Sequence, residues 1–234
     1  MTRGLHAAAA GMRVQVHKQD VYANNLANAA TPGFLRSDMT IGQGSFDQAL
    51  AQAGATSAAS ATAVDITPGP VHETGSAYDL AIDGDGLFAL QTDRGLRFTR
   101  DGRFEVAPDG RLLSAGGHPV MGRSGPLVLP GEELLVSERG QVFSEGQFVD
   151  ELFIAQFEPG DELRREPDGL LVASTGPRMA AEPNVRQGYL EDANVSVVRE
   201  MTQMMTGFRA YEASAAALRY TDGTLGKLIE SALS

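Results

Sequence analysis

Apolar side chains near the C-terminal end recur in strict 4-3 spacing. Val197, Met201, Met204, Phe208, Tyr211, Ala215 and Leu218 lead on to Leu225, Ile229 and Ala232, with Asp222 the one polar interruption. A mean period of about 3.5 residues keeps one helix face turned toward a partner helix. The spacing predicts a helix over 197–232, about 54 Å long at 1.5 Å per residue. A helix of that length needs cover from another element.

The opposite end of the chain repeats the pattern. Leu5, Ala9, Met12, Val16, Gln19, Ala23 and Leu26 predict a second helix over 3–29, and Gln19 is its single polar member. Pro32 pushes Thr31 out of the helical region, and Pro32-Gly33 suits a tight turn. Leu5 to Leu26 spans only about 32 Å, little more than half of the longer seam. The remainder, from about Leu218 onward, contains Asp222, Gly223 and Gly226, and is expected to be completed by other subunits. Asn24, Asn25 and Asn28 stand just before the turn. Such amides can bond a neighbouring subunit's backbone, but on spacing alone the simpler role is closing the helix's own open carbonyls. Asn194 or Ser196 is the expected cap of the C-terminal helix.

Between the helices the texture changes twice. From Gly42 to Asp65 the chain is almost entirely Ala, Ser, Gly, Thr and Gln, too poor in apolar groups to offset its ordering entropy. A short helix over Phe46–Ala53, capped by Ser45, is one possibility there. Beyond Pro70, turn pairs such as Asp85-Gly86, Asp101-Gly102, Asp109-Gly110 and Glu145-Gly146 separate short apolar runs, among them Leu87–Thr92, Leu96–Arg100, Gln141–Phe143 and Phe148–Phe157. That rhythm predicts an antiparallel all-β region. The expected fold is α+β, with coiled-coil-like paired N- and C-terminal helices and an inserted β domain. The expected divisions are 1–39 (N-terminal helix), 40–69 (linker), 70–188 (β domain) and 189–234 (C-terminal helix).

Charge sharpens the division. The total is −11; residues 1–39 carry +2 and 197–234 carry zero, which leaves −13 for 40–196. Near-neutral ends can associate while the acidic middle stays solvated, and the overall sign argues against nucleic acid as a partner. Cysteine is absent, so disulfides, thiolate metal sites and cysteine lipid anchors are excluded. Ala7–Ala10 is too short for a signal-peptide core, and no run of 18 apolar residues occurs, so no membrane insertion is expected.

Catalytic chemistry finds little support. Asp79, Asp83 and Asp85 lack the further ligands of a calcium loop and read better as turn chemistry. His6, His17, His72 and His118 form no metal-ligand pair, and neither a nucleophile elbow nor a phosphate loop is present. Glu132-Glu133 and Asp161-Glu162 flank turn glycines and read as solvated. No enzyme activity, cofactor or metal is expected. Arg94, Arg97, Arg100, Arg103 and Arg111 could meet acidic groups of a neighbouring copy, or simply alternate toward solvent along hairpins.

Several stretches resemble the bacterial flagellar rod and hook proteins: ANNLANAATPGF (23–34), TGSAYDLAIDGDGLF (74–88), FTRDG (98–102), GYLEDANV (188–195), EMTQMM (200–205) and RAYEAS (209–214). They occur in the family's order and cover both ends and much of the middle. Ser196 and Ser214 depart from the family's usual asparagines. The resemblance implies a structural subunit of the basal-body rod, a hollow helical shaft that crosses the periplasm and transmits torque from motor to hook. Its terminal helices would line the inside and its β domain would face outward. Expected partners are other copies, other rod and hook proteins and the flagellar type III export apparatus, which takes chains without a cleaved signal. The expected assembly residues are Leu5, Met12, Val16, Asn24, Asn25, Leu26, Asn28, Val197, Met201, Met204, Phe208, Tyr211, Leu218, Leu225 and Ile229. Two rivals predict other things: a rod-associated peptidoglycan-cleaving enzyme needs a cleft with a perturbed carboxylate or metal, and a coiled-coil-trimerised surface-binding module would be a discrete soluble trimer.

Overall fold

The computed structural model describes the backbone of residues 2–41, 60–158 and 161–233, and side chains over 11–39, 62–158 and 161–220. The predicted short helix at Phe46–Ala53 lies outside the described residues. The fold is α+β: two helices and many short antiparallel strands. It divides into a helical unit (Met1–Ala27, Ser37–Thr62, Ser196–Ser234) and a β unit (Asn28–Arg36, Ala63–Val195).

In the helical unit, the N-terminal helix runs Thr2–Ala27 and the C-terminal helix Val197–Leu233. Ser196 is the cap of the latter: its carbonyl accepts the first helical bond from the Glu200 N–H at 3.0 Å. Glu200 then stands in the first turn, where a carboxylate complements the helix dipole. Asn194, the other candidate, is engaged elsewhere. Side chains from Thr221 onward, those of Asp222, Leu225 and Ile229 among them, lie outside the described residues, as does that of Leu5.

The β unit is built on a six-stranded antiparallel sheet. Its order is Leu163–Arg165, Leu171–Ala173, Gly95–Thr99, Leu87–Thr92, Ile154–Gln156, Arg178–Met179. Leu87–Thr92 is central, and its first four residues are buried on both faces, which explains the apolar run from Leu87 to Leu90. Alternation sends Phe88 and Leu90 into a core with Leu80, Ile82, Phe104, Leu112 and Ile154, while Leu87 and Ala89 meet Leu35, Phe98, Ala155 and Leu171 on the other side. Phe88 stands edge-on to Phe104 at 5.1 Å, and each such fully buried side chain contributes about 1.5–3 kcal/mol.

One predicted strand is two. Phe148–Phe157 divides into Gln147–Glu151, paired with Gln141–Ser144, and Ile154–Gln156, paired with Leu87–Thr92. The break falls at Leu152 and Phe153, whose N–H groups donate to Gly140 and Met121 carbonyls at 2.8 and 3.0 Å. These distant acceptors turn the chain from one sheet to another.

The unit is closed by its own last residues. Leu80–Ile82 pairs with Val185–Gln187, and Val71–Glu73 pairs with Tyr189–Glu191.

Candidate assembly interface

Two constellations gather the stretches singled out in the sequence. The first, in the helical unit, is polar where an apolar seam was expected. Asn25 is fully buried. Its amide grips both backbone groups of Ser37: Oδ1 accepts from the Ser37 N–H at 2.9 Å and Nδ2 donates to the Ser37 carbonyl at 2.8 Å. Nδ2 also donates to Glu200 Oε2 at 3.1 Å, and Glu200 is fully buried too. This corrects the simpler role assigned to the amides: Asn25 fastens a strand and the other helix, not its own helix end. Asn28 does keep a local role, its carbonyl accepting from the Thr31 N–H at 2.9 Å.

Further along, Gln19 Nε2 donates to the Met204 carbonyl at 2.7 Å. Gly207 is buried, and a Cβ there would lie 2.9 Å from Gln19 Nε2 and 3.6 Å from Gln15 Oε1. Gln19, which interrupts the apolar pattern, and Gly207, unfavourable for helix by about 1 kcal/mol, are thus the residues of closest approach. The contact on this side runs through Glu200, Met204 and Gly207, of which only Met204 belongs to the apolar series read from the sequence.

That apolar series is left largely outside. Val197, Met201, Phe208 and Tyr211 are exposed, as are Val16 and Asn24; Met12, Leu26, Asn28, Met204 and Leu218 are half-buried. Val198 at 75 % and Met205 at 57 % exposure extend the outward stripe. Phe208 borders two open grooves, one lined by Gln19, Met204, Met205, Arg209 and Glu212, the other by Gln15, Val16, Gln19 and Tyr211. Sequence reasoning passed over Glu200, Gly207 and Val198, because none of them belongs to the 4-3 apolar series. The signal that could have found Glu200 was its place in EMTQMM, a charged residue opening a helix.

The second constellation lies in the β unit and joins the remaining motifs. Thr31–Phe34 forms a turn closed by the Phe34 N–H on the Thr31 carbonyl at 3.2 Å, with Gly33 at φ +66°. A type II turn demands that conformation of its third residue. A Cβ on Gly33 would fall 2.2 Å from the Asp101 nitrogen, so glycine is required by space as well. The Gly33 N–H donates to the Glu191 carbonyl at 2.7 Å. Glu191 and Arg100 form an ion pair at 2.5 Å with both side chains 1 % exposed. Arg100 also donates to the carbonyls of Ile82 (3.0 Å), Gly84 and Gly86, while Glu191 Oε1 accepts from the Gly69 N–H at 2.8 Å. Burial pushes the Glu191 carboxyl above its ordinary range, against the pull of Arg100 and of that N–H. The DGDG turn is thereby wrapped around a guanidinium. Asn194 completes the junction: Oδ1 accepts from the Arg36 N–H at 2.5 Å, and Nδ2 donates to the Asp65 and Thr67 carbonyls at 2.9 and 2.8 Å.

Of the arginines of the middle, Arg94, Arg103 and Arg111 are exposed, as the solvent-facing reading has it, while Arg97 and Arg100 are buried. Arg94 and Arg97 pair with Glu166, Arg103 with Asp101 and Arg111 with Asp109. The Arg97 guanidinium holds the Glu166 carboxyl below its usual range.

A chain with two long terminal helices, an outward apolar stripe and a closed β insertion is of the assembly-forming, structural kind. Three family models match it in order: "Flagella basal body rod protein" over 5–34, "Flagellar hook protein FlgE/F/G D1 domain" over 81–144, and "Flagellar basal body rod FlgEFG protein C-terminal" over 186–231. The flagellar basal-body rod protein FlgF of Mesorhizobium japonicum is 31% identical over 242 residues, covering 99% of this chain and 98% of the relative. FlgF of Salmonella typhimurium is 30% identical, with 97% of each covered, and the rod protein FlgG of Bacillus subtilis is 27% identical, with 98% of each covered. The chain belongs to the flagellar basal-body rod protein family, whose members named here are structural rod proteins.

Proposed function

We propose that this rod subunit assembles through its terminal helices, packed as a coiled-coil-like pair, with other copies and with other rod and hook proteins, into a hollow shaft that carries torque. As the resemblance implies, the shaft crosses the periplasm, and the chain reaches it through the flagellar export apparatus without a cleaved signal. Its role is mechanical and not catalytic. The observation that carries this reading is the inversion of the helical unit: polar and small groups (Asn25, Glu200, Gln19, Gly207) meet inside, while Val198, Met201, Met205 and Phe208 face out. Large apolar side chains left outside while polar groups are buried are a surface awaiting a partner. Within the family, alignment length favours a place beside the relatives named FlgF: 242 positions for that of M. japonicum against 261 for FlgG of B. subtilis, for a chain of 234.

Deleting 219–234 tests the reading. Sedimentation and electron microscopy should show loss of filaments, while hydrogen exchange in the β unit stays unchanged. Filaments formed equally well by the shortened chain would sink it. A discrete trimer of the full chain would point instead to a trimeric surface-binding module.

A further inference from the structure

The three-stranded sheet of the β unit, Leu135–Val136, Gln141–Ser144 and Gln147–Glu151, has one buried face and one bare face. Val136 and Val142 point into the core. Leu135 and Phe148, each 58 % exposed, flank Phe143 in register on the other side. The Phe143 and Phe148 rings meet edge to face at 5.8 Å. Three large apolar side chains in a row across an exposed sheet face contribute little to the chain's own core and mark a contact surface.

The rim of this row is acidic. Glu132, Glu133, Glu138 and Glu145 are exposed around it. Glu145 occupies a two-residue hairpin turn at φ +50°, the one non-glycine with positive φ among the described residues. Its carboxylate lies against Gly131, where a Cβ would come within 2.4 Å of Oε1, so the turn acid and the acids of the 131–133 loop share one edge.

Charge selects the occupant. A second β unit is a poor one, since it is acidic and Arg94, Arg97, Arg103, Arg111, Arg123 and Arg178 already hold carboxylates. The helical unit suits it: exposed Val198, Met201 and Met205 stand beside exposed Arg199 and Arg209. We propose that the row Leu135–Phe143–Phe148 is the docking surface for the outward helical stripe of a second copy. This inference rests on the helix-mediated assembly proposed above and names the surface that one part of the stripe meets. Joining two different patches makes the contact heterologous, the kind that propagates along a filament when its rotation does not close.

The chain has no cysteine, so full-length F148C and V198C chains can be mixed under assembling conditions and oxidised. Cross-links between the two variants should exceed those within either. F148K should raise the critical concentration for assembly at least tenfold, with the monomer's thermal midpoint unmoved. Charge reversal should behave reciprocally: E132R/E133R and R199E/R209E each weaken assembly, and mixing them restores it. Wild-type assembly by F148K, or no preference for the mixed cross-link, overturns this inference. If V198D/M205D nonetheless blocks assembly, helix-mediated assembly stands alone; if that variant also assembles normally, both readings fall.

Discussion

The two units are held together by opposite means. The β unit buries Phe88, Leu90, Ile82 and Ile154 almost completely and even encloses an ion pair, with each guanidinium nitrogen of Arg100 bonded to a carboxylate or a carbonyl. The helical unit buries an amide, a carboxylate and a glycine, and turns Val16, Val198, Met201, Met205 and Phe208 outward. Burial of apolar area is the main favourable contribution to folding. A unit that keeps that area inside is complete alone. One that leaves it outside forgoes that contribution within the single chain.

The contrast can be broken most severely at its buried ion pair. Arg100→Ala leaves Glu191 charged and enclosed and frees three carbonyls of the 82–86 turn; a loss of roughly 3–5 kcal/mol is expected. Denaturant unfolding followed on β-unit signals measures it, and a midpoint like that of the unsubstituted chain would show that Arg100 is not needed. Next comes Asn25→Ala, expected to cost about 1–3 kcal/mol because both Ser37 backbone groups lose their buried partner and Glu200 loses one bond. Hydrogen exchange should quicken at the Ser37 amide and leave Leu87–Thr92 untouched; faster exchange in both would mean the units do not differ in this way.

Acid should bear on the β unit through Glu166, Asp109 and Asp161, whose carboxyls are held below their ordinary values by Arg97, by the Arg111 N–H and guanidinium, and by Thr175 respectively. Depressed values mean stabilisation that is present above the ordinary carboxylate range and lost as pH falls through the lowered ones. Glu191, raised by burial, works the other way and favours the fold on protonation. Unfolding midpoints should therefore decline on acidification below about pH 4, and Glu166→Gln should flatten part of that decline. The smallest effect belongs to Phe208→Ser. Monomer stability should change by no more than about 0.5 kcal/mol, since the ring is 58 % exposed, while light scattering reports the loss of assembly.

Periodicity made both helices legible, to within a residue or two at most ends, because a 4-3 apolar series survives whatever it faces. The face it presents was not legible. Gln19, Gly207 and Glu200 weigh against helix contact on any hydrophobic scale, and their role appears only when 175 or more positions of chain are folded back, as for Asn25 with Glu200 and Gln19 with Met204. Leu87–Thr92 was readable as a strand from its apolar run and flanking turns. The division of 148–157 was not, since carbonyls of Gly140 and Met121 cause it. The motifs of the β unit were readable as a resemblance, but not as one junction. Arg100 and Glu191 are 91 positions apart, and nothing local in FTRDG or GYLEDANV says that they meet.

That junction also sets a clock. Strands Val71–Glu73 and Leu80–Ile82, Gly33, Gly69 and Arg100 all find their partners within residues 185–191. Contacts so distant in sequence form late even in a free chain. In one that emerges N-terminus first they cannot form at all until its last fifth has followed. Until Glu191 arrives, the strands, glycines and guanidinium that it and its neighbours complete stay unpartnered there, however early the hairpins between them have formed.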